Sequence, residues 1–242
     1  MAAAAGLVAE ARADFVKDLV SIHTEATGGR AKLAGLKTLK ATGVTRGAGG
    51  ELKFVMWAAR PNRICTEVTD DKRIITQGWD GEGAPWTADS ATRQIALLSG
   101  ERADEFKVDA EFDDPLLPAK GRQVSLDYMG EVELEGRALL KVLVTQNFTM
   151  TSFVYLDTTT YLIVRRDVIR RVKGADVTVR TDYDDFRSVG GVILPHRLVM
   201  TRDGKRVSET VIDRMEANAV MPAGVFAPPK TTKSKAVESG GA

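Results

Sequence analysis

Cysteine and histidine are scarce in this sequence, which has one cysteine and two histidines among 242 residues. Because Cys65 is alone, an intramolecular disulfide and a cysteine-based metal site are both excluded. His23 and His196 form no HxH or HxxxH pair, so we interpret each as a structural or surface residue. We therefore expect neither a metal nor another cofactor.

A charge excess and a long apolar run are also missing. The 34 basic and 33 acidic residues give a formal net charge of +1, which argues against nucleic-acid binding. No run approaches the ~18 consecutive apolar residues of a transmembrane helix, so no transmembrane segment is expected. The start, MAAAAGLVAEARADF, lacks the basic region and apolar core of an intact signal peptide. It is compatible with a mature secreted chain whose signal peptide has been removed.

The common catalytic signatures are absent as well. GAGGE, residues 47–51, joins two predicted strands and has no Lys-Ser/Thr after it, so it indicates a hairpin loop, not a phosphate loop. No GxSxG elbow is present. AEFDDP and TDYDDF lack the spacing of a calcium loop, and we interpret their acids as strand-end and turn residues. The sequence therefore predicts a protein that is not an enzyme.

Two helices are predicted at the N-terminus. Val8, Phe15, Leu19, Ile22 and Ala26 recur at helical spacing and predict an apolar face on a helix over residues 7–26. Two consecutive glycines then end this helix. A short second helix is expected over residues 30–36.

From residue 39 the pattern changes to the alternation of β-strands. Short connections, such as RDGK with its Asp-Gly turn, predict a meander of antiparallel hairpins. Residues 87–119 interrupt the pattern and predict two or three short helices. The expected strands cover residues 39–45, 52–58, 63–68, 72–77, 124–128, 137–146, 149–157, 161–168, 177–186, 192–201 and 205–217.

Most predicted strands have one strongly apolar face and one mixed face. A single sheet of roughly ten such strands must curl as its twist accumulates. We therefore predict an α+β fold, mainly antiparallel β, in which a strongly curved sheet forms an incomplete β-barrel and helices cover its concave face. Residues 1–227 are expected to form a single domain, and residues 228–242 a disordered tail. From strand parity we expect these residues to line an apolar ligand cavity: Phe54, Met56, Trp79, Trp86, Leu140, Val142, Val154 and Leu156.

QGWDGEGAPW, residues 77–86, contains two of the three tryptophans. It predicts a hairpin in which Asp80-Gly81 forms the turn and Trp79 and Trp86 lie on the two arms. Cross-strand packing at the rim of the sheet and a position bordering a lipid cavity both remain open for these rings.

The order and spacing of several segments resemble outer-membrane lipoprotein-sorting proteins of the periplasmic LolA/LolB-like superfamily. The resemblance implies an incomplete barrel that holds acyl chains, and a periplasmic protein that binds or ferries lipids or lipidated proteins without catalysis or a metal. Membrane-associated partner proteins are expected by the same resemblance. The matching segments include TEATGGRAKLAGLKTLKATG, ARPNRICTEV, GWDGEGAPW, YMGEVELEGR, VYLDTTTYLIVR, DYDDFRSVGGVILPHRL and EANAVMPAGVFAPP.

Two other functions stay open at this point. The same scaffold suits an interaction or sensor module of the envelope, in which the protein's own helices fill the hollow. A hydrolase of envelope lipids requires His23 or His196 to lie within hydrogen-bond reach of a serine or carboxylate in a pocket.

Overall fold

A computed structural model describes residues 2–70, 72–119, 121–147, 150–172 and 175–229 of the chain. Three helices and thirteen strands occur in these ranges, and all the strands belong to one antiparallel sheet. The helices are α1 (Ala2–Ala26), α2 (Arg30–Gly35) and α3 (Gly100–Asp109). The strands are β1 (Thr38–Gly47), β2 (Gly50–Ala59), β3 (Arg63–Thr69), β4 (Ile74–Trp79), β5 (Trp86–Asp89), β6 (Gln94–Leu97), β7 (Val124–Leu134), β8 (Arg137–Gln146), β9 (Met150–Asp157), β10 (Ile163–Val172), β11 (Ala175–Val189), β12 (Val192–Arg202) and β13 (Lys205–Ala217).

The sheet consists of two meanders that meet at one seam. Its order is β6-β5-β4-β3-β2-β1-β13-β12-β11-β10-β9-β8-β7, so each neighbouring pair except β1 and β13 is consecutive in the chain. The first arm runs from β1 to β6 and the second from β7 to β13. At the seam, Leu39 pairs with Ala217, and the hydroxyl of Thr210 donates a hydrogen bond to that of Thr45 at 3.2 Å. The curved open sheet confirms the predicted fold class, with thirteen strands where about ten were expected.

Turn chemistry explains the hairpins that the sequence predicted. Asp203 and Gly204, in the turn between β12 and β13, both have positive φ, at 47° and 75°. These values suit the tight turn for which Asp-Gly is favoured. The glycine-rich loop likewise joins β1 to β2 as a hairpin.

The prediction of helices over residues 87–99 is wrong. Residues 86–97 form the hairpin of β5 and β6, and only α3 is helical in this region. Few residues here are β-branched, and the scattered charges resemble a helical pattern. The strands nevertheless form because Trp86 pairs with Gly78 of β4 and extends the first arm.

One face of the sheet is covered by helices, and we call it the inner face. On the second arm, α1 packs there through Leu19, together with Leu116 and five apolar residues of β8 and β9. On the first arm, α3 packs there through Phe106, against Met56, Ile64 and Trp79.

The buried side of α1 differs from the predicted one. Leu19 is buried as expected, but Phe15 and Ile22 are exposed, while Val16 and His23 face the core. The helix therefore turns a more polar side inward than its apolar spacing indicated. The side chain of Val8 lies outside the described part of the chain.

The outer face of the first arm is covered by the C-terminal segment, residues 218–229. Phe226 of this segment packs against Trp86, Cys65 and Ala59. Trp86 also donates an indole hydrogen bond to the carbonyl oxygen of Phe226, at 2.8 Å. Most of the predicted disordered tail, residues 230–242, lies outside the described ranges.

Candidate functional site

The hollow of the sheet is closed by the chain between α3 and β7, and we call residues 110–119, 121 and 122 the cover segment. Arg122 holds this segment in shape from within. Its side chain is only 8% exposed, and its guanidinium donates to the carbonyl oxygens of Asp113, Asp114 and Leu117. A second feature is Leu116, which is buried in the core against α1. The cover segment is therefore a packed element of the fold.

Two further arginines tie the cover segment to the sheet. Arg60, which follows β2, forms an ion pair with Asp113 at 2.7 Å and donates to the carbonyl of Leu33 in α2 at 2.7 Å. Arg166 of β10 lies 3.4 Å from the carboxylate of Glu111. The two sheet arms thus each provide one cation to neighbouring acids of the cover segment.

The third attachment is a buried pair between His23 of α1 and Asp114. Nε2 of His23 lies 2.8 Å from the Asp114 carboxylate, and Nδ1 lies 2.7 Å from the carbonyl oxygen of Tyr161. Both neighbours are acceptors, so both ring nitrogens donate when the imidazole is charged.

The pKa values of this pair move in the directions that an ion pair requires. Burial lowers the pKa of His23, but the hydrogen bond and charge of Asp114 outweigh that effect, so the pKa is raised. Burial raises the pKa of Asp114, but the hydrogen bond and charge of His23, with help from Arg122, bring it below its ordinary value. Both shifts favour the charged form of the pair.

We expect the contribution of His23 to stability to fall at alkaline pH. A raised pKa in the folded state means that the contribution is complete below the ordinary histidine pKa and is lost as the pH rises through the raised value. Asp114 has a lowered pKa in the folded state, so its contribution to stability is lost only as the pH falls through that lowered pKa. Urea unfolding of the wild type and His23→Gln from pH 4 to pH 9 measures this difference.

We expect the difference in unfolding free energy between the wild type and His23→Gln to be largest in mildly acidic buffer and to become smaller toward pH 9. Asp114→Asn is the matched variant, and the difference between it and the wild type should become smaller over the same alkaline range. A difference of constant size across the range contradicts a charged His23–Asp114 pair.

A cavity of about 330 Å³ lies beneath α2, and we call it the α2 cavity. The charged groups at its wall, including Arg60, Arg166 and Asp114, have the ion-pair partners described above, although Nε of each of these two arginines is buried without a hydrogen-bond partner among the described residues. The rest of the wall is largely apolar, and the principal residues are Leu33, Leu36, Leu39, Phe112, Leu162 and Ile163. A wall of this kind favours an apolar ligand in the size range of protein binding pockets.

A second cavity, of about 440 Å³, lies beside α3, and we call it the α3 cavity. Trp79 and Val108 supply part of its apolar wall, whereas Arg122 and Gln146 make another part polar. The two cavities share Glu111, Phe112 and Asp113 as lining residues. These three residues of the cover segment therefore border both the apolar cavity and the more polar one.

The structure places the residues predicted from the sequence in different regions. Trp79 lines the α3 cavity, and Met56 packs beneath it on the inner face. Phe54 lies two residues from Met56 on the same strand face. Trp86 lies on the outer face against Phe226. The remaining four pack in the inner core against α1, and these are Leu140, Val142, Val154 and Leu156.

The lining of the α2 cavity was not predicted. Leu33 belongs to a six-residue helix whose sequence is too short to show an apolar face, and Leu36 is the residue directly after that helix. Phe112 stands in an acidic run that resembles an exposed loop. The one sequence feature that could have indicated a buried position was the presence of a large aromatic residue inside that acidic run.

His23 meets the geometric condition stated for a hydrolase, because it lies 2.8 Å from the Asp114 carboxylate in the wall of the α2 cavity, but neither serine nor cysteine is among the described residues that line this cavity. Both ring nitrogens of His23 are engaged, and Nδ1 of His196 lies 3.1 Å from the carbonyl oxygen of Leu194. Burial raises the pKa of Cys65 to about 12, with a further contribution from Glu67, so its thiol is a poor nucleophile. Within the same ranges no cluster of three or more metal-binding side chains occurs, and no helix is long and apolar enough to cross a membrane.

Comparisons with known proteins identify the fold. Neither the protein-family models nor the curated protein sequences match the chain. A domain from Vibrio parahaemolyticus described as an outer-membrane lipoprotein-sorting protein is similar, with a TM-score of 0.60, 12% identity, and coverage of 88% of this chain and 97% of that one. A DUF1329 family protein from Desulfovibrio piger gives a TM-score of 0.61, 11% identity, and coverage of 87% and 96%.

A third similar structure is a LolA superfamily protein from Nitrosomonas europaea. Its TM-score is 0.53 at 11% identity, and the match covers 80% of this chain and 90% of that one. At these identities the comparisons establish the architecture. The chain has a LolA-like fold, which confirms the resemblance found in the sequence.

Proposed function

We propose that this chain is a periplasmic protein that binds the acyl chain of a lipid or lipoprotein in the α2 cavity, as a carrier and not as an enzyme. The observation that carries the proposal is an apolar cavity whose charged neighbours are paired with one another. A ligand there needs no charged group of its own. The LolA-like fold of the similar structures, one of them described as a lipoprotein-sorting domain, supports the same class of ligand.

The energetics of such a ligand follow from its apolar surface. Each methylene group transferred from water contributes about 0.8 kcal/mol. A cavity of about 330 Å³ lies at the lower end of the range for small-molecule sites, so it suits part of one acyl chain. Affinity then depends on how much of the cavity remains open.

A larger side chain in the α2 cavity should therefore remove binding. Leu33→Trp places an indole at a half-buried position that lines the cavity. We expect displacement of a fluorescent fatty-acid probe to show at least a tenfold loss of affinity, since about 1.4 kcal/mol of lost contact is sufficient.

Ala34→Trp is the matched control, because Ala34 is the next residue of α2 and is exposed. It should bind the probe as the wild type does. If the probe fails to bind the wild type, and native mass spectrometry of protein from a bacterial envelope shows no bound lipid, the carrier proposal is wrong.

An interaction or sensor module is the second candidate. The packed cover segment, held by four basic side chains, favours it, because part of the hollow is filled by the protein itself. The two cavities favour the carrier. The probe experiment distinguishes them, since a filled hollow does not take up an acyl chain.

A further inference from the structure

Gln146, at the end of β8, has a buried side chain that satisfies none of its hydrogen-bonding capacity within the described residues. It is 1% exposed, and neither its amide nitrogen nor its carbonyl oxygen has a partner there. The hydroxyl of Ser152, on the neighbouring strand, is also buried and unpaired within these ranges. An unpaired buried group costs about 1–3 kcal/mol, so such groups are rare without a reason.

Gln146 lies in the wall of the α3 cavity, where a further donor is unused. Nε of Arg122 is buried and has no partner among the described residues, although the terminal nitrogens of the same guanidinium are engaged. Gln146 and Arg122 both line the cavity. One side of the α3 cavity thus offers free donors and a free acceptor together.

The polar groups of the α3 cavity favour some classes of ligand over others. Its lining carries three carboxylates and two cations, and Arg60 and Arg166 pair with two of those carboxylates, so the charges alone do not select an anionic ligand. The carboxylates belong to Asp104, Glu111 and Asp113, and the cations to Lys107 and Arg122. A phosphate or carboxylate also accepts without donating, and it leaves the carbonyl oxygen of Gln146 unpaired.

An amide group can pair with both unpaired atoms of the Gln146 side chain, the donor nitrogen and the acceptor oxygen. Its carbonyl accepts from the carboxamide nitrogen, its N–H donates to the carboxamide oxygen, and it carries no charge. We propose that the α3 cavity binds the neutral, amide-bearing head of an amphiphile whose apolar part lies in the α2 cavity. This inference rests on the proposed function, and the wall shared by the two cavities places head and tail next to each other.

Two ligands that differ only in the amide protons test the assignment. Dodecanamide carries N–H donors, whereas N,N-dimethyldodecanamide keeps the carbonyl and the chain but cannot donate. Displacement of a fluorescent fatty-acid probe from the full chain should give about tenfold tighter binding of dodecanamide, the size expected for hydrogen bonds to buried groups. Dodecyl phosphate should bind more weakly than dodecanamide.

Gln146→Leu removes the proposed partner. It should bring the two amides within about twofold of each other and weaken dodecanamide more than the dimethyl compound, which loses only the hydrogen bond to its carbonyl. Gln94→Leu is the control, because Gln94 lies exposed on β6. It should keep the tenfold preference.

The outcomes separate this inference from the proposed function. If no amphiphile displaces the probe, the proposed function fails. If both amides displace it equally from the wild type, only the amide head is wrong, and this result does not depend on whether any variant folds. If the preference is present but survives Gln146→Leu, the head binds elsewhere.

Discussion

Replacing Arg122 by methionine should destabilise the protein by about 3–5 kcal/mol, the cost of removing one partner from a buried charged network. The guanidinium is buried, and it donates to carbonyl oxygens of Asp113, Asp114 and Leu117. Its loss leaves these carbonyl oxygens without their donor and removes one positive charge from beside Glu111, Asp113 and Asp114. Urea unfolding measures the change as a lower midpoint with a similar slope.

Arg122→Lys is the informative comparison. It keeps the positive charge, but one ammonium group cannot reproduce a planar fork that reaches several carbonyls. We expect it to recover less than half of the loss. Recovery to wild-type stability indicates that charge alone matters at this position, and a methionine variant as stable as the wild type refutes the role of Arg122 in the cover segment.

Trp86→Ala should have an effect of similar size, about 3–5 kcal/mol, because the indole fills a buried site between β5 and the C-terminal segment. The loss includes the hydrogen bond to the carbonyl of Phe226. Detachment of residues 218–229 follows from the loss of both contacts. Limited proteolysis should therefore cleave this segment faster in the variant, in addition to a lower midpoint of unfolding.

Trp86→Phe separates packing from hydrogen bonding. It keeps an aromatic ring but cannot donate to Phe226, so we expect a loss of about 1 kcal/mol from the hydrogen bond and some further loss from the smaller ring. Trp86→Ala without faster cleavage means that other contacts hold the segment. In that case Met221 and Val225, which pack on the same cluster, are the residues to replace next.

Local chemistry made most of the sheet predictable. The Asp203-Gly204 turn and the alternation in β2, β8 and β9 depend only on neighbouring residues. β7 runs to Leu134, beyond the predicted end at residue 128, because a bulge between Tyr128 and Gly130 interrupts the pattern without ending the strand. The alternation of apolar and polar residues therefore predicts that a strand is present more reliably than it predicts the residue at which the strand ends.

The site was less predictable because it depends on contacts between distant residues. Glu111 is partly buried because Arg166 and Arg122 approach it, and no periodic pattern reports such a pair. Trp79 and Trp86 lie on opposite faces, since the connection between β4 and β5 does not preserve strand parity. The sequence predicted an apolar hollow, but the residues that close it could be identified only from the folded structure.

The seam between β1 and β13 also determines how the protein assembles. Each arm forms from hairpins of consecutive strands, which are local and fast contacts, whereas the seam joins Leu39 to Ala217 and must close a very long loop. The α2 cavity takes Leu39 and Arg60 from the first arm and Ile163 and Tyr183 from the second. The cavity is therefore complete only after the slowest pairing has formed, and a ligand that binds there stabilises the closed sheet by mass action.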